Sequence, residues 1–164
     1  MNLDPSQGYA SARSAVYGRN AVATSQPLAV QAGIRVLRAG GNAVDAALAT
    51  AVTLAVVEPN NNGLGSDAFA QVWDGQRLHG INGSGRAPMA WTTERFAGRA
   101  AMPSKGGDAV TVPGAVSTWR ALSERFGCLP FASLFEDGIH YAEAGFHVGP
   151  KTAYYWGLLP RMFT

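Results

Sequence analysis

The residues of this chain with chemical potential are scattered along it. The carboxylates with a definite setting are Asp45 ahead of an apolar run, Glu58 before a proline, Asp74 in an Asp-Gly pair, and Glu136-Asp137 within one helical segment. Paired-carboxylate acid–base catalysis needs two such groups facing one bond, and these do not form a persuasive pair. They read instead as a helix cap, a helix end, a turn, and the solvated side of a helix. His79 reads as a satisfied or exposed strand residue, and a helix stop between His140 and His147 disfavours a shared metal site. No order of serine, histidine and aspartate assembles a hydrolytic triad. The loop Gly63-Leu64-Gly65-Ser66 can bring backbone close to an anion. It lacks the Gly-Lys-Ser/Thr ending of a phosphate loop, and it follows its helix where a dinucleotide loop precedes one, so a tight connection is the plainer reading.

The elements that must position these groups are legible from punctuation. Ser25 stands before Gln26-Pro27 as an expected cap, and Val30, Ile34 and Leu37 recur at helical spacing until Gly40-Gly41 ends the helix. Asn42 caps the next helix, with Asp45 placed to reach back to the cap amide in an approximate capping box. From Ala43 to Val57 the apolar face carries Val44, Leu48, Ala51, Val52 and Ala55, while the opposite face is Ala and Thr rather than charge. That pattern predicts a helix covered on most sides, sandwiched between layers. Glu58-Pro59 stops it.

Ala21–Thr24 has the character of a short strand, and Phe69–Trp73 with Arg77–Ile81 flank Asp74-Gly75 as a hairpin with a type I′ turn. Between Met89 and Gly107 the only signal is Thr92 or Thr93 as caps for a short helix ahead of Gly98. Pro113 pre-sets a helix carrying Val116, Trp119, Leu122 and Phe126, and a second runs from about Phe131 to Ala144. The short linker predicts that these two pack together. Tyr154, Tyr155 and Trp156 read as core or interface.

The totals bound the function. With 164 residues, 47% apolar and 15% charged, the chain is globular, and its charged share is low enough to imply that some surface is meant to be covered. The net charge of +2 comes from dispersed cations without a basic run, so nucleic acid is not an expected partner. Cys128 is the single cysteine and is expected to be a small buried hydrophobe. The start, Met1 to Gly8, lacks a basic and apolar leader, which reads as cytoplasmic, and Ala46–Val57 is too short and too interrupted to span a bilayer. Neither a membrane nor a cofactor or metal is expected. The close, Pro160 to Thr164, is aromatic and apolar and reads as an interruption.

Gly40-Gly41-Asn42-Ala43-Val44-Asp45-Ala46-Ala47, followed by Val57-Glu58-Pro59 and the glycine loop, resembles the start of the large subunit in the γ-glutamyltranspeptidase family. Thr24–Ala29, Val112-Pro113-Gly114, Phe126–Pro130 and Ala142–Phe146 resemble further signatures of that family in the same order. The resemblance implies an α+β fold, the four-layer αββα sandwich of the N-terminal-nucleophile hydrolases, of which residues 1–164 are an incomplete large-subunit portion. It also implies a precursor that cleaves itself, a small subunit as partner, and a γ-glutamyl small molecule as substrate. In the family the small subunit's N-terminal Thr is the nucleophile and its own α-amine the base. Nothing here matches that residue: Thr92-Thr93 continues as Glu94-Arg95, and Thr164 is a terminus of the wrong kind. No catalytic residue is therefore assigned to this chain.

The resemblance breaks at the hairpin exit. Typical members carry Asp-Phe-Arg-Glu-x-Ala-Pro, whose Arg holds the donor's α-carboxylate, and aligning Ala87-Pro88 puts Ser84 at that Arg. A hydroxyl offers a neutral hydrogen bond and not a charged bidentate clamp. Arg86 is the candidate substitute if residues 84 and 86 lie on one extended segment and share a face; the alternative is a surface arginine beside a turn. The form Asn82-Gly83-Ser84-Gly85-Arg86-Ala87-Pro88 resembles a divergent branch of transpeptidase-like proteins, and related acylases that process cephalosporin side chains share the scaffold. Ser84 and Arg86 are the expected substrate-binding residues, with γ-glutamyl hydrolysis or transfer by the whole protein as the leading function. The alternatives are a glutaryl acylase and a non-catalytic binding fragment.

Overall fold

The computed structural model describes residue 15 and residues 17–162. The Met1–Gly8 leader reading and the terminal Thr164 lie outside the described residues. Two compact units are present, one formed by the chain up to Gly63 together with Gly127 onward, the other by Leu64–Phe126.

In the first unit, α1 (Pro27–Arg38) and α2 (Ala43–Val57) form an antiparallel pair. Gln26 and not Ser25 caps α1, its side-chain oxygen accepting from the amides of Leu28 and Ala29. Ser25 instead donates to the Glu58 carboxylate. The stripe that α1 buries is Ala29, Ala32, Gly33 and Val36, with Ile34 exposed at its edge. Small residues win because the helices meet closely: a Cβ on Gly33 would lie 2.5 Å from Thr50 Oγ1. The α1 end is a Schellman turn, in which Gly41 N–H donates to Val36 O at 3.0 Å, Gly40 N–H donates to Leu37 O at 3.3 Å, and Gly40 takes φ +91°.

The capping box of α2 is complete. Asn42 Oδ1 accepts from the amides of Val44 and Asp45 at 2.9 and 3.0 Å, and Asn42 N–H donates to Asp45 Oδ2 at 3.0 Å. From Leu48 to Val57 every residue is buried or half-buried, as a helix apolar all round requires. Thr50 and Thr53 survive there because their hydroxyls donate to Ala46 O and Ala49 O, both at 2.8 Å. On its other side α2 meets a 3₁₀ turn, Phe131–Phe135, and α4 (Glu136–Ala144), so the helix expected from Phe131 begins as a tighter coil. Arg35 at the end of α1 joins this side, contacting Glu136 at 3.0 Å and Asp137 at 2.6 Å. That carboxylate pair is thus an anchor at the positive end of α4. Helix α5 (Pro150–Met162) was not anticipated, and Tyr154, Tyr155 and Trp156 are about half exposed on it. Residues 21–24 make no strand pairing.

The second unit is a hairpin backed by a helix. Strands β1 (Ala68–Trp73) and β2 (Leu78–Gly83) pair antiparallel with Trp73 opposite Leu78 and Ala68 opposite Gly83. This register leaves a four-residue loop in place of the type I′ turn. Asp74 Oδ1 accepts from the amides of Gln76 and Arg77, both at 2.9 Å, and only Gly75 takes positive φ, at +95°. Helix α3 (Ala115–Phe126) covers the inner face of the hairpin through Thr118, Trp119 and Leu122. The helices α3 and α4, expected to pair, each pack inside their own unit, on the hairpin and on α2 respectively. Residues 93–98 form hydrogen-bonded turns and no helix. Among the described residues no helix is long and apolar enough to cross a membrane.

Candidate substrate groove

Where β2 ends, three glycines let two chain segments touch. Cβ atoms would stand 1.7 Å from Thr118 Oγ1 at Gly83, 1.9 Å from Val112 O at Gly85, and 2.1 Å from Gly83 O at Gly114. Only hydrogen fits at these points. Gly85 also has φ +79°, a backbone state that side chains disfavour. The contact is sealed by hydrogen bonds: Val112 N–H to Arg86 O at 2.9 Å, Thr111 Oγ1 to Ser84 O at 3.0 Å, and the amides of Gly114 and Ala115 to Ser66 O at 3.1 and 3.0 Å. The glycine loop is thereby given a job, since Ser66 supplies the acceptor for the two amides that open α3.

A groove of about 700 Å³ lies along this junction, bordered by Ser84, Gly85 and Arg86 on one side and by Val112, Pro113, Gly114 and Ser117 on the other. Ser84 is half-buried and Arg86 exposed. Both expected residues therefore border one cavity, but not by the route of a shared strand face. The strand stops at Gly83, and the positive φ of Gly85 breaks the two-residue alternation. Arg86 is the one charged side chain in the lining; no carboxylate borders the groove. Among the described residues Arg86 makes no ion pair, whereas Arg35, Arg95, Arg99 and Arg120 are each held by carboxylates. An unpaired guanidinium beside hydroxyls in a concave site is suited to hold a carboxylate.

The remaining polar groups are structural. His79 is buried, with Nε2 2.6 Å from Asp74 Oδ2 and Nδ1 3.0 Å from Arg125 Nη2, and its ring lies 5.0 Å from that of Phe126. Guanidiniums only donate and they approach both ring nitrogens, Arg125 at Nδ1 and Arg77 Nε at Nε2 at 3.3 Å; the much shorter contact with the Asp74 carboxylate makes Nε2–H the donor and leaves Nδ1 to accept. The hydrogen bond with His79, then the Arg77 and Gln76 amides, hold the Asp74 carboxyl well below the usual carboxylate range.

Asp45 does more than cap. It is fully buried and also accepts from Cys128 N–H at 3.1 Å and from Cys128 Sγ at 3.0 Å. Burial alone would push its carboxyl upward, but the Cys128 thiol and the amides of Asn42, Cys128 and Leu129 leave it below the ordinary value. Cys128 is exposed, not the buried hydrophobe its residue type suggested. Its thiol is pushed above the ordinary value, first by the hydrogen bond to Asp45. A partner 83 positions away leaves no mark in local spacing, so this pair was not readable from the sequence.

Comparison with known proteins agrees with this architecture. The gamma-glutamyltranspeptidase family model matches residues 29–163. The chain is 40% identical over 139 residues to the Glutathione hydrolase-like YwrD proenzyme of Bacillus subtilis, covering 83% of this chain and 26% of that protein. It superposes on the crystal structure of cephalosporin acylase from Bacillus halodurans with TM-score 0.88 and 50% identity, covering 98% of this chain and 31% of that one. For Helicobacter pylori gamma-glutamyltranspeptidase the TM-score is 0.78 at 28% identity, covering 87% of this chain and 42% of that one. The chain thus spans about a quarter of the length of the curated relatives it matches. Its fold is an incomplete portion of the α+β, N-terminal-nucleophile hydrolase arrangement. With the family model over residues 29–163, the curated relative and the superpositions in agreement, this chain belongs to the γ-glutamyltranspeptidase family.

Proposed function

We propose that this chain is the large-subunit portion of an enzyme that hydrolyses or transfers the γ-glutamyl group of glutathione and related amides. It works with a small subunit cut from the same precursor, whose N-terminal threonine attacks the amide carbonyl. A threonine hydroxyl is a weak nucleophile until a base takes its proton, and the residue's own α-amine serves. The part played by this chain is to hold the donor. The observation that carries the reading is Arg86: it is the single charge on a groove without carboxylates and it has no ion-pair partner among the described residues. Its guanidinium receives the donor's α-carboxylate, and Ser84 adds a neutral hydrogen bond. Similarity to a glutathione hydrolase-like proenzyme supports the donor class.

A glutaryl acylase is the second reading, favoured by the 50% identity to a cephalosporin acylase. A glutaryl group keeps the same terminal carboxylate and lacks the α-amine, so Arg86 serves either donor. The two readings part at the amine, for which this groove offers no carboxylate. Turnover of γ-glutamyl-anilide and glutaryl-amide by the full-length protein separates them. Turnover of the γ-glutamyl compound is expected; turnover of the glutaryl compound alone overturns the first reading.

A further inference from the structure

Unpaired hydrogen-bond donors collect on one rim of the groove beside Arg86, while the acceptors there are already engaged. Asn82, the penultimate residue of β2, borders the groove together with Ser84 and Arg86. Its Oδ1 accepts from Ser84 N–H at 3.0 Å, a bond that draws the side chain along the backbone toward Ser84. An N–H can bond only the oxygen end of an amide, so the orientation of Asn82 is fixed and its Nδ2 group is left over. Among the described residues neither Asn82 Nδ2 nor the Ser84 hydroxyl has a hydrogen-bond partner. The neighbouring carbonyls do: Ser84 O accepts from Thr111 Oγ1 at 3.0 Å, Arg86 O from Val112 N–H at 2.9 Å, and Gly114 O from the Ser117 and Thr118 hydroxyls, both at 2.8 Å. A ligand at this rim therefore meets an amide NH2, a hydroxyl and a guanidinium, with no carboxylate in competition. A carboxylate, which only accepts, is the group such a set suits.

We propose that Asn82 is a specificity-determining residue of this groove, its Nδ2 donating to the same donor carboxylate that Arg86 receives. The assignment rests on the carboxylate reading of Arg86 and adds to it a contact whose direction is set by the Asn82–Ser84 bond. Arg86 is exposed on a long stem, and a second point of attachment on a strand end fixes the carboxylate where the guanidinium alone would let it swing.

The test is steady-state kinetics of the full-length protein carrying Asn82→Ser or Asn82→Asp. Serine keeps an oxygen that can accept from Ser84 N–H and removes the NH2 group without adding charge. Aspartate keeps the shape and the accepting oxygen and sets an anion against the donor carboxylate. KM for a γ-glutamyl or glutaryl donor is expected to rise about tenfold in Asn82→Ser, the loss of a hydrogen bond to a charged group, and further in Asn82→Asp. KM for a butyryl amide, which lacks the carboxylate, should stay at the wild-type value in both. Circular dichroism confirms folding, and if Asn82→Asp does not fold, Asn82→Ser decides alone. An unchanged KM for the carboxylate donors in Asn82→Ser, or an equal rise for the butyryl amide, overturns the role of Asn82. Arg86→Gln separates this from the reading beneath it. If Arg86→Gln leaves KM for the carboxylate donors unchanged, the groove does not hold the carboxylate and both assignments fall; if it raises KM and Asn82→Ser does not, Asn82 alone is excluded.

Discussion

Replacing Gly114 by alanine tests whether the groove is built by backbone contact. The new Cβ would lie 2.1 Å from Gly83 O, 2.8 Å from Gly85 N and 2.9 Å from Gly83 C. These distances are far inside the roughly 3.5 Å of ordinary contact, and all three neighbours are main chain, which cannot rotate away. Relief requires the α3 start to withdraw from the hairpin. That withdrawal breaks the hydrogen bonds from Gly114 and Ala115 to Ser66 O. Overpacking costs about 1–3 kcal/mol and each lost hydrogen bond about 1 kcal/mol, so the expected loss is about 3–5 kcal/mol. With a urea m value of roughly 2 kcal/mol per M, the unfolding midpoint falls by about 2 M. The control is Gly80→Ala on the exposed hairpin face, where a Cβ meets nothing within 4 Å and the change should stay within about 0.5 kcal/mol. Equal midpoints for Gly114→Ala and Gly80→Ala would show that the two segments do not touch as described.

Arg86→Gln should raise KM for both γ-glutamyl and glutaryl donors by roughly tenfold to a hundredfold, the worth of a charged hydrogen bond. A butyryl amide, which lacks the carboxylate, should be unaffected; an equal rise for it would remove Arg86 from donor binding. The Asp45 carboxyl lies below its ordinary 3.8 when folded, so its stabilisation is complete above about pH 5 and is lost as pH falls through the lower folded value. Asp45→Asn should therefore cost about 3 kcal/mol at neutral pH and flatten the acid limb of the stability profile, both read from urea melts at stepped pH. Cys128, though exposed, should react slowly with iodoacetamide at pH 8, because its raised thiol value leaves little thiolate. Asp45→Asn should speed that reaction, and an unchanged rate in a folded variant would deny the thiol–carboxylate bond.

Sequence alone determined what depends on neighbours a few positions apart. The Asn42–Asp45 capping box, the Gly40-Gly41 helix end and the span of α2 follow from residue types at short spacing and stand as read, while the hairpin forms with its second strand at Leu78–Gly83 in place of Arg77–Ile81. The family was legible for the same reason, because its signatures are turns and caps written in consecutive residues. What failed locally failed on details of geometry: Gln26 outcompeted Ser25 for the cap, and the Asp74 carboxylate drew two amides into a longer loop than Asp-Gly predicts.

Tertiary structure decided everything that joins distant segments. Gly83, Gly85 and Gly114 bear no mark of one another in the sequence and are the contact points that place Ser84 and Arg86 on one groove. The exposed thiol of Cys128 and the buried carboxylate of Asp45 acquired their properties from each other. Hydrogen bonds and steric exclusion act over a few ångströms of space whatever the separation along the chain. A linear pattern records them only when the partners also happen to be neighbours in sequence.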